Sequence, residues 1–441
     1  MGRDGGRARG GSRDEYHLVA APRTQRRHRH ARDRVVRRGH GRRRGRPRRR
    51  ARGVRGAHAL PGGVTTREAV MDLTRVAEVF AAYHGPGARG ADGGPARGAS
   101  LCVVRDGEVV LDLHGGAHDD DGRPWGPDSL GAIASGTKGV SSIAAMVALE
   151  RAGIPLDAPL RLVWPDFEQA GKVGLSIGEA MAHLAGVPGM PREWSWDDVR
   201  TPGRMSALLA AEPPLVPLRR PSYHAMTFGW IAGEVVRRVD GRTVGRFVRE
   251  ELAGPLGLDL HIGAPPDAIV RVARTVRAPD YALSAYASGA TPDPRHARVY
   301  DERLYLRMTR PDHLDAEVPG ANGVATARAM ARLYGALVDR SPGARRLVTR
   351  ETLRAALRER SCGTDPLTGR PLRFAFGFEI NPNPSFLGPS PDAFGHTGAG
   401  GSTHGAWPSL GIAYSYVMRE YRPESNDGRA TRLLGALWRS C

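Results

Sequence analysis

Ser135-Gly136-Thr137-Lys138 opens the stretch, residues 135–152, on which the reading of this 441-residue chain turns. Val140, Ile143, Ala144, Met146, Val147 and Leu149 leave almost no polar face, and Gly153 and Pro155 stop the run. A helix that is apolar nearly all round is a buried helix. Its polar pair sits at the N-terminal end, three residues apart, so the two side chains share a face with Cβ atoms about 5–6 Å apart. A serine hydroxyl is a poor nucleophile until a base takes its proton. A lysine serves as that base only when burial or positive neighbours lower its pKa. The helix N-terminus helps twice, because backbone N–H groups face the reacting centre and the dipole disfavours the ammonium.

The same pair stands out by composition. Of 65 basic side chains only Lys138 and Lys172 are lysines, the mark of a GC-rich coding sequence in which lysine codons drift away. Lys172 lies in the turn-like run Ala170-Gly171-Lys172-Val173-Gly174 and reads as a surface residue.

Nearly all of the net charge of +19 lies in residues 1–60, which hold 21 arginines against Asp4, Asp14, Glu15 and Asp33. Such runs bury too little apolar surface to offset ordering entropy, so residues 1–66 read as a disordered Arg-rich tail. Three origins compete for it: an unstructured or mis-started N-terminus with translation beginning near Met71, an arginine tether for nucleic acid, or a targeting segment. The nucleic-acid contact is the weaker expectation. The twin arginine Arg37-Arg38 is followed by no apolar stretch of the length a secretion signal needs. No run approaches 18 apolar residues, so no membrane span is expected. Cys102, Cys362 and Cys441 match neither a disulfide framework nor a metal-ligand spacing, and a cytoplasmic setting is the default.

The remainder, 72–440, reads as an α+β fold. A helix over 72–84 behind Asp72 precedes two apolar runs, Leu101–Arg105 and Val109–Leu113, joined by the hairpin signal Asp106-Gly107. Strands are expected again at 373–380, 393–397, 402–407 and 411–418, with helices at 323–339 and 427–440. The sheet portion therefore spans 72–134 and 320–440. The helical portion spans 135–319, with 155–310 as an all-helical insertion, and a cleft is expected between the two.

Two further stretches accompany Ser-x-x-Lys. Pro221-Ser222-Tyr223-His224-Ala225-Met226-Thr227-Phe228-Gly229-Trp230 places a tyrosine just before a helix, and Gly395-His396-Thr397-Gly398-Ala399-Gly400-Gly401 is a Gly-rich strand edge. In this order and at these separations the three resemble the motifs of the serine β-lactamase/penicillin-binding-protein superfamily. The resemblance is closest to its class C β-lactamase-like esterases, the β-lactamase-related serine hydrolases, and covers about 72–440. His183-Leu184-Ala185-Gly186-Val187-Pro188 and Ala321-Asn322-Gly323-Val324-Ala325-Thr326-Ala327-Arg328 are similar to two secondary segments of that family.

The resemblance implies an antiparallel sheet flanked by helices with an all-helical subdomain. It implies Ser135 as acyl-accepting nucleophile and Lys138 as holder of its proton. Tyr223 would be the partner acid or base, its phenol pKa lowered by Lys138; which of the two takes the first proton stays open. The oxyanion hole would be the N–H groups of Ser135 and Ala399. His224, His396, Gly398 and Gly400 would contact substrate, with a spectator role open for His224 and a strand-end hydrogen-bonding role for His396; His183 reads as structural. No metal or other cofactor is implied.

Two departures from the family pattern bear on substrate. Ala225 stands where lactamases carry an asparagine that orients the substrate amide, and His396 stands where they carry a lysine that attracts the substrate carboxylate. Losing both favours a small-molecule ester over β-lactams and cell-wall peptides. The expected activity is a serine esterase working through an acyl-enzyme, with transfer to an alcohol as a variant. The competitors are a β-lactamase or D-peptidase and a catalytically idle binding protein on the same fold. No Gly-x-Ser-x-Gly elbow and no His-Glu-x-x-His occurs, which argues against an α/β-hydrolase or a zinc enzyme.

Overall fold

The computed structural model describes residues 71–281, 293–381, 386–423 and 427–441. The tail, 1–66, lies outside the described residues. Eight antiparallel strands form the main sheet. In chain order these are β1 (Ala99–Arg105), β2 (Glu108–Gly115), β3 (Ser361–Thr364), β4 (Pro371–Phe374), β5 (Glu379–Ile380), β6 (Phe394–Gly398), β7 (Ser402–Trp407) and β8 (Ile412–Met418). Their spatial order is β2-β1-β8-β7-β6-β5-β4-β3, so the chain's last strand inserts beside its first. The β1–β2 connection is the tight turn read from Asp106-Gly107, with both residues at positive φ (47° and 83°), as a type I′ hairpin requires.

Five helices matter for the site: α1 (Thr74–His84), α2 (Gly136–Arg151), α3 (Thr227–Asp240), α4 (Ala327–Val338) and α5 (Arg429–Arg439). Alternation along β8 distributes them. Tyr416 points to α1, where its hydroxyl meets His84 Nε2 at 2.8 Å. Ala413, of opposite parity, points to α4, whose Gly335 lies against Val104 and Ala413. The sheet is therefore covered on both faces. Cys102 in β1 is fully buried, as its apolar run predicts. Helix α2 is buried from Gly136 through Leu149 and packs against α3 and β6.

The region between α2 and α4 is not wholly helical. Leu260–His261 pairs with Val324–Ala325, which in turn pairs with Gly131–Ala132, and Val276–Arg277 pairs with Glu420–Tyr421. Leu260–His261 and Val276–Arg277 lie inside 155–310, which reads as all-helical in sequence, and they tie that region to the sheet portion. A two-residue strand carries no period and leaves no sequence signal.

Lys172 also departs from expectation. It is fully buried, and its ammonium donates to the carbonyls of Gln169 (2.9 Å), Ala210 (2.8 Å) and Glu212 (2.6 Å). Burial lowers its pKa to about 8, partly offset by Glu212. It is a structural cation that gathers the carbonyls at the end of the 204–211 helix. No described helix is long and apolar enough to cross a membrane.

Candidate active site

Ala134 precedes α2 with φ +45°, a left-handed conformation that costs a non-glycine residue energy. The bend turns the chain from Gly131–Ala132 into the helix and leaves Ser135 at its mouth. Thr137 fixes the turn: its hydroxyl donates to Ala134 O at 2.6 Å and accepts from Gly323 N at 2.9 Å. One turn into the helix, fully buried Lys138 places Nζ 2.9 Å from Ser135 Oγ and 2.7 Å from Gly320 O. Burial lowers the Lys138 pKa to about 7, with the nearby Glu379 carboxylate pulling the other way.

Tyr223 completes the cluster, with Lys138 Nζ 5.0 Å from its ring centroid. Its backbone is clamped by Asp365, a residue without any sequence signal. Asp365 Oδ2 accepts from Tyr223 N at 2.9 Å, and Oδ1 accepts from Ser222 Oγ at 3.2 Å and Leu367 N at 2.9 Å. The ring packs against His183 (centroids 4.9 Å apart) and Phe374 (6.0 Å). Burial, reinforced by Glu379, drives the Tyr223 phenol well above its ordinary pKa, and a hydrogen bond with Ser135 opposes this only in part. The expected lowering of the phenol pKa is thus not found: burial raises that of Tyr223 and lowers that of Lys138.

A cavity of about 100 Å³ opens over Ser135, Tyr223, Thr397 and Ala399. Its walls are mainly apolar, from Ala225, Met226, Tyr305, Met308, Leu372, Phe374 and Phe386, with Arg370 and Glu379 as the charged lining groups.

The structure separates the third motif by strand parity. Thr397 lines the cleft on the same face as Glu379, which sits on β5 opposite Gly395. His396 points the other way, toward α2, with its Cβ 3.6 Å from where a side chain on Gly139 would begin. It is fully buried, its Nδ1–H donates to Thr397 O at 2.7 Å, and burial holds it well below its ordinary pKa. His396 is therefore not among the residues lining the cleft. Neither is His224, which donates from Nδ1 to Ser222 O (2.7 Å) and accepts from Val187 N at Nε2 (3.2 Å). Both ring nitrogens of His224 are thus taken by backbone groups. Gly398 lines a smaller adjoining cavity. Gly400, at φ +84°, lies over the Tyr421 ring, where an added Cβ would come within 2.3 Å. His183 Nδ1 accepts from His224 N at 3.1 Å, in keeping with a structural part.

Residues 87–437 match the model of the Beta-lactamase family. The chain belongs to that family. It is a serine hydrolase on the beta-lactamase fold. It is 34% identical over 331 residues to Esterase/beta-lactamase LipL of Mycobacterium tuberculosis, covering 73% of this chain and 76% of the relative. Among solved structures it is similar to a penicillin-binding protein homolog from Caulobacter crescentus (35% identity, TM-score 0.73, 84% of this chain and 97% of that one). It is also similar to a family VIII carboxylesterase (32% identity, TM-score 0.71, 84% and 97%). A third likeness is to EstA from Arthrobacter nitroguajacolicus Rue61a (26% identity, TM-score 0.70, 83% and 95%). As a beta-lactamase family member, the chain has an α+β fold with an antiparallel sheet, as its sequence predicts.

The sequence reading missed two cleft carboxylates or clamps and one cation: Asp365, Glu379 and Arg370. Glu379 had a faint signal, since it ends the apolar run Phe374-Ala375-Phe376-Gly377-Phe378, where a carboxylate is costly unless partnered.

Proposed function

We propose that the protein is a carboxylesterase that forms an acyl-enzyme on Ser135 and passes the acyl group to water or to an alcohol. The observation that carries this reading is the 2.9 Å contact between Ser135 Oγ and a buried lysine amine whose pKa is lowered to about 7. Near neutral pH a large share of Lys138 is unprotonated, and along that line the neutral amine accepts the serine proton. Oγ then bonds to the substrate carbonyl carbon. The N–H groups of Ser135 and Ala399 take the oxyanion, and both residues line the same cavity. Collapse breaks the bond to the alkoxide, which receives a proton from the Tyr223 phenol; the Lys138 ammonium restores it. Water or an alcohol repeats the sequence on the acyl-enzyme in reverse.

Ester rather than lactam substrates are favoured by Ala225, which presents no amide to the cleft, and by the apolar walls. The family VIII carboxylesterase supports the same reading, and the relative named Esterase/beta-lactamase LipL is compatible with it. One observation favours lactams as a second reading: Arg370 lines the cleft and could meet a carboxylate that His396 cannot.

The test pairs a short-chain p-nitrophenyl ester with a chromogenic cephalosporin, for the natural protein and Ser135→Ala. Ester turnover that falls at least about a thousandfold on substitution is expected. Turnover that survives it would exclude Ser135, and faster cephalosporin than ester cleavage would move the function to the lactamase reading.

A further inference from the structure

Glu379 is half-buried at the cleft wall, with 13% of its side chain exposed. The Thr397 hydroxyl lies 2.9 Å from Oε1 and 3.1 Å from Oε2, and His396 Nδ1 lies 3.4 Å from Oε1. A carboxylate in such a place is expensive unless it has a task or a counter-charge. Thr397 offers one hydrogen bond, and the His396 proton is already given to Thr397 O. Burial raises the Glu379 pKa above the ordinary carboxylate value, and hydrogen bonding from Thr397, Arg370 and Lys138, which favour the ionised form, offset this only in part.

The groups facing Lys138 narrow the choice. Ser135 and Tyr223 share its pocket. His183, His224 and His396 are all driven neutral by burial. Tyr223 and, on α4, Tyr334 are held as phenols by burial and by Glu379 itself. Among the described residues, Glu379 is the carboxylate that acts on Lys138, holding its pKa up against burial.

We propose that Glu379 is a positioning residue: its carboxylate holds Thr397 on the cleft wall and supplies the counter-charge against which Lys138 gains and loses its proton. The proposal rests on Lys138 being the base for Ser135. Glu379 touches no reacting atom in it. It sets how much of Lys138 is ready to accept a proton at a given pH, and it stabilises the ammonium once the serine proton has arrived.

Glu379→Gln keeps an oxygen for the Thr397 hydroxyl and removes only the charge. The Lys138 ammonium then loses support, so the acid limb of kcat/KM moves to lower pH. The ratio of activity at pH 6 to that at pH 8 should rise about threefold or more, with KM little changed. Glu379→Asp withdraws the charge by one methylene and should move the limb the same way by less. A glutamine profile that superimposes on the natural one overturns the proposal. If the glutamine variant does not fold, the aspartate variant decides: a lowered limb supports the proposal and an unmoved one overturns it. Ser135→Ala measured alongside separates the two levels. If it stays active, the serine reading fails; if it is dead and the Glu379 limb is unmoved, only the role of Glu379 fails.

Discussion

Lys138 and Lys172 are both fully buried, and both have a lowered pKa. What separates them is the company of the ammonium. Lys172 gives its hydrogen bonds to three backbone carbonyls, none of which can surrender a proton. Lys138 gives one to Gly320 O and one to a hydroxyl that can. Replacing Lys172 with methionine should therefore leave kcat/KM near its natural value. It should cost about 1–3 kcal/mol of stability, read by urea unfolding, because the buried carbonyl of Ala210 and the part-buried carbonyls of Gln169 and Glu212 lose a partner. Lys138 gives the opposite pattern. Its amine is usable only when neutral, so kcat/KM should climb with pH through an acid limb near 7, and Lys138→Met should abolish turnover while unfolding stays cooperative. A flat profile between pH 5.5 and 8 would contradict the assignment of Lys138 as base. The lysine of the first motif was legible in sequence from its spacing to Ser135; the burial of Lys172 was not, because a single lysine in a glycine-rich turn carries no period from which burial can be read.

At the scale of elements, the strongly patterned segments were legible and the cross-links were not. The Asp106-Gly107 hairpin, the buried helix α2 and the closing strands β6, β7 and β8 all follow from turn chemistry or apolar periodicity. Strand parity decided the third motif: sequence shows that His396 stands in a strand, but only the pairing of Gly395 with Glu379 shows which face meets the cleft. Asp365 was invisible for a different reason. It lies 142 residues from Tyr223, in a turn whose Asp365 N–H donates to Arg370 O at 2.8 Å. The one turn thus clamps the tyrosine segment and carries a guanidinium of the cleft. Asp365→Ala leaves Tyr223 N without its acceptor and should cost about 1–3 kcal/mol. It should also lower kcat by about tenfold or more as the phenol loses its placement. A variant destabilised by that amount with unchanged kcat would show that the clamp serves the fold alone.

For the molecule as a whole, the residues gathered around Ser135 come from 134 to 399, and the sheet closes only when β8 pairs with β1. The described residues that line the cleft, with Lys138 hydrogen-bonded to Ser135, supply every group the mechanism uses, so deleting residues 1–66 should leave kcat/KM for a short ester within about twofold. A large loss would mean that the arginine-rich segment takes part in activity. The central claim is narrower than any of these and can be read by mass. The protein is mixed with a p-nitrophenyl ester, quenched in acid within the first turnovers, and the intact mass and proteolytic peptides are measured. An added acyl mass on the peptide containing Ser135, absent in Ser135→Ala, is the expected result; release of p-nitrophenol with no adduct there, or with the adduct on another residue, would contradict it.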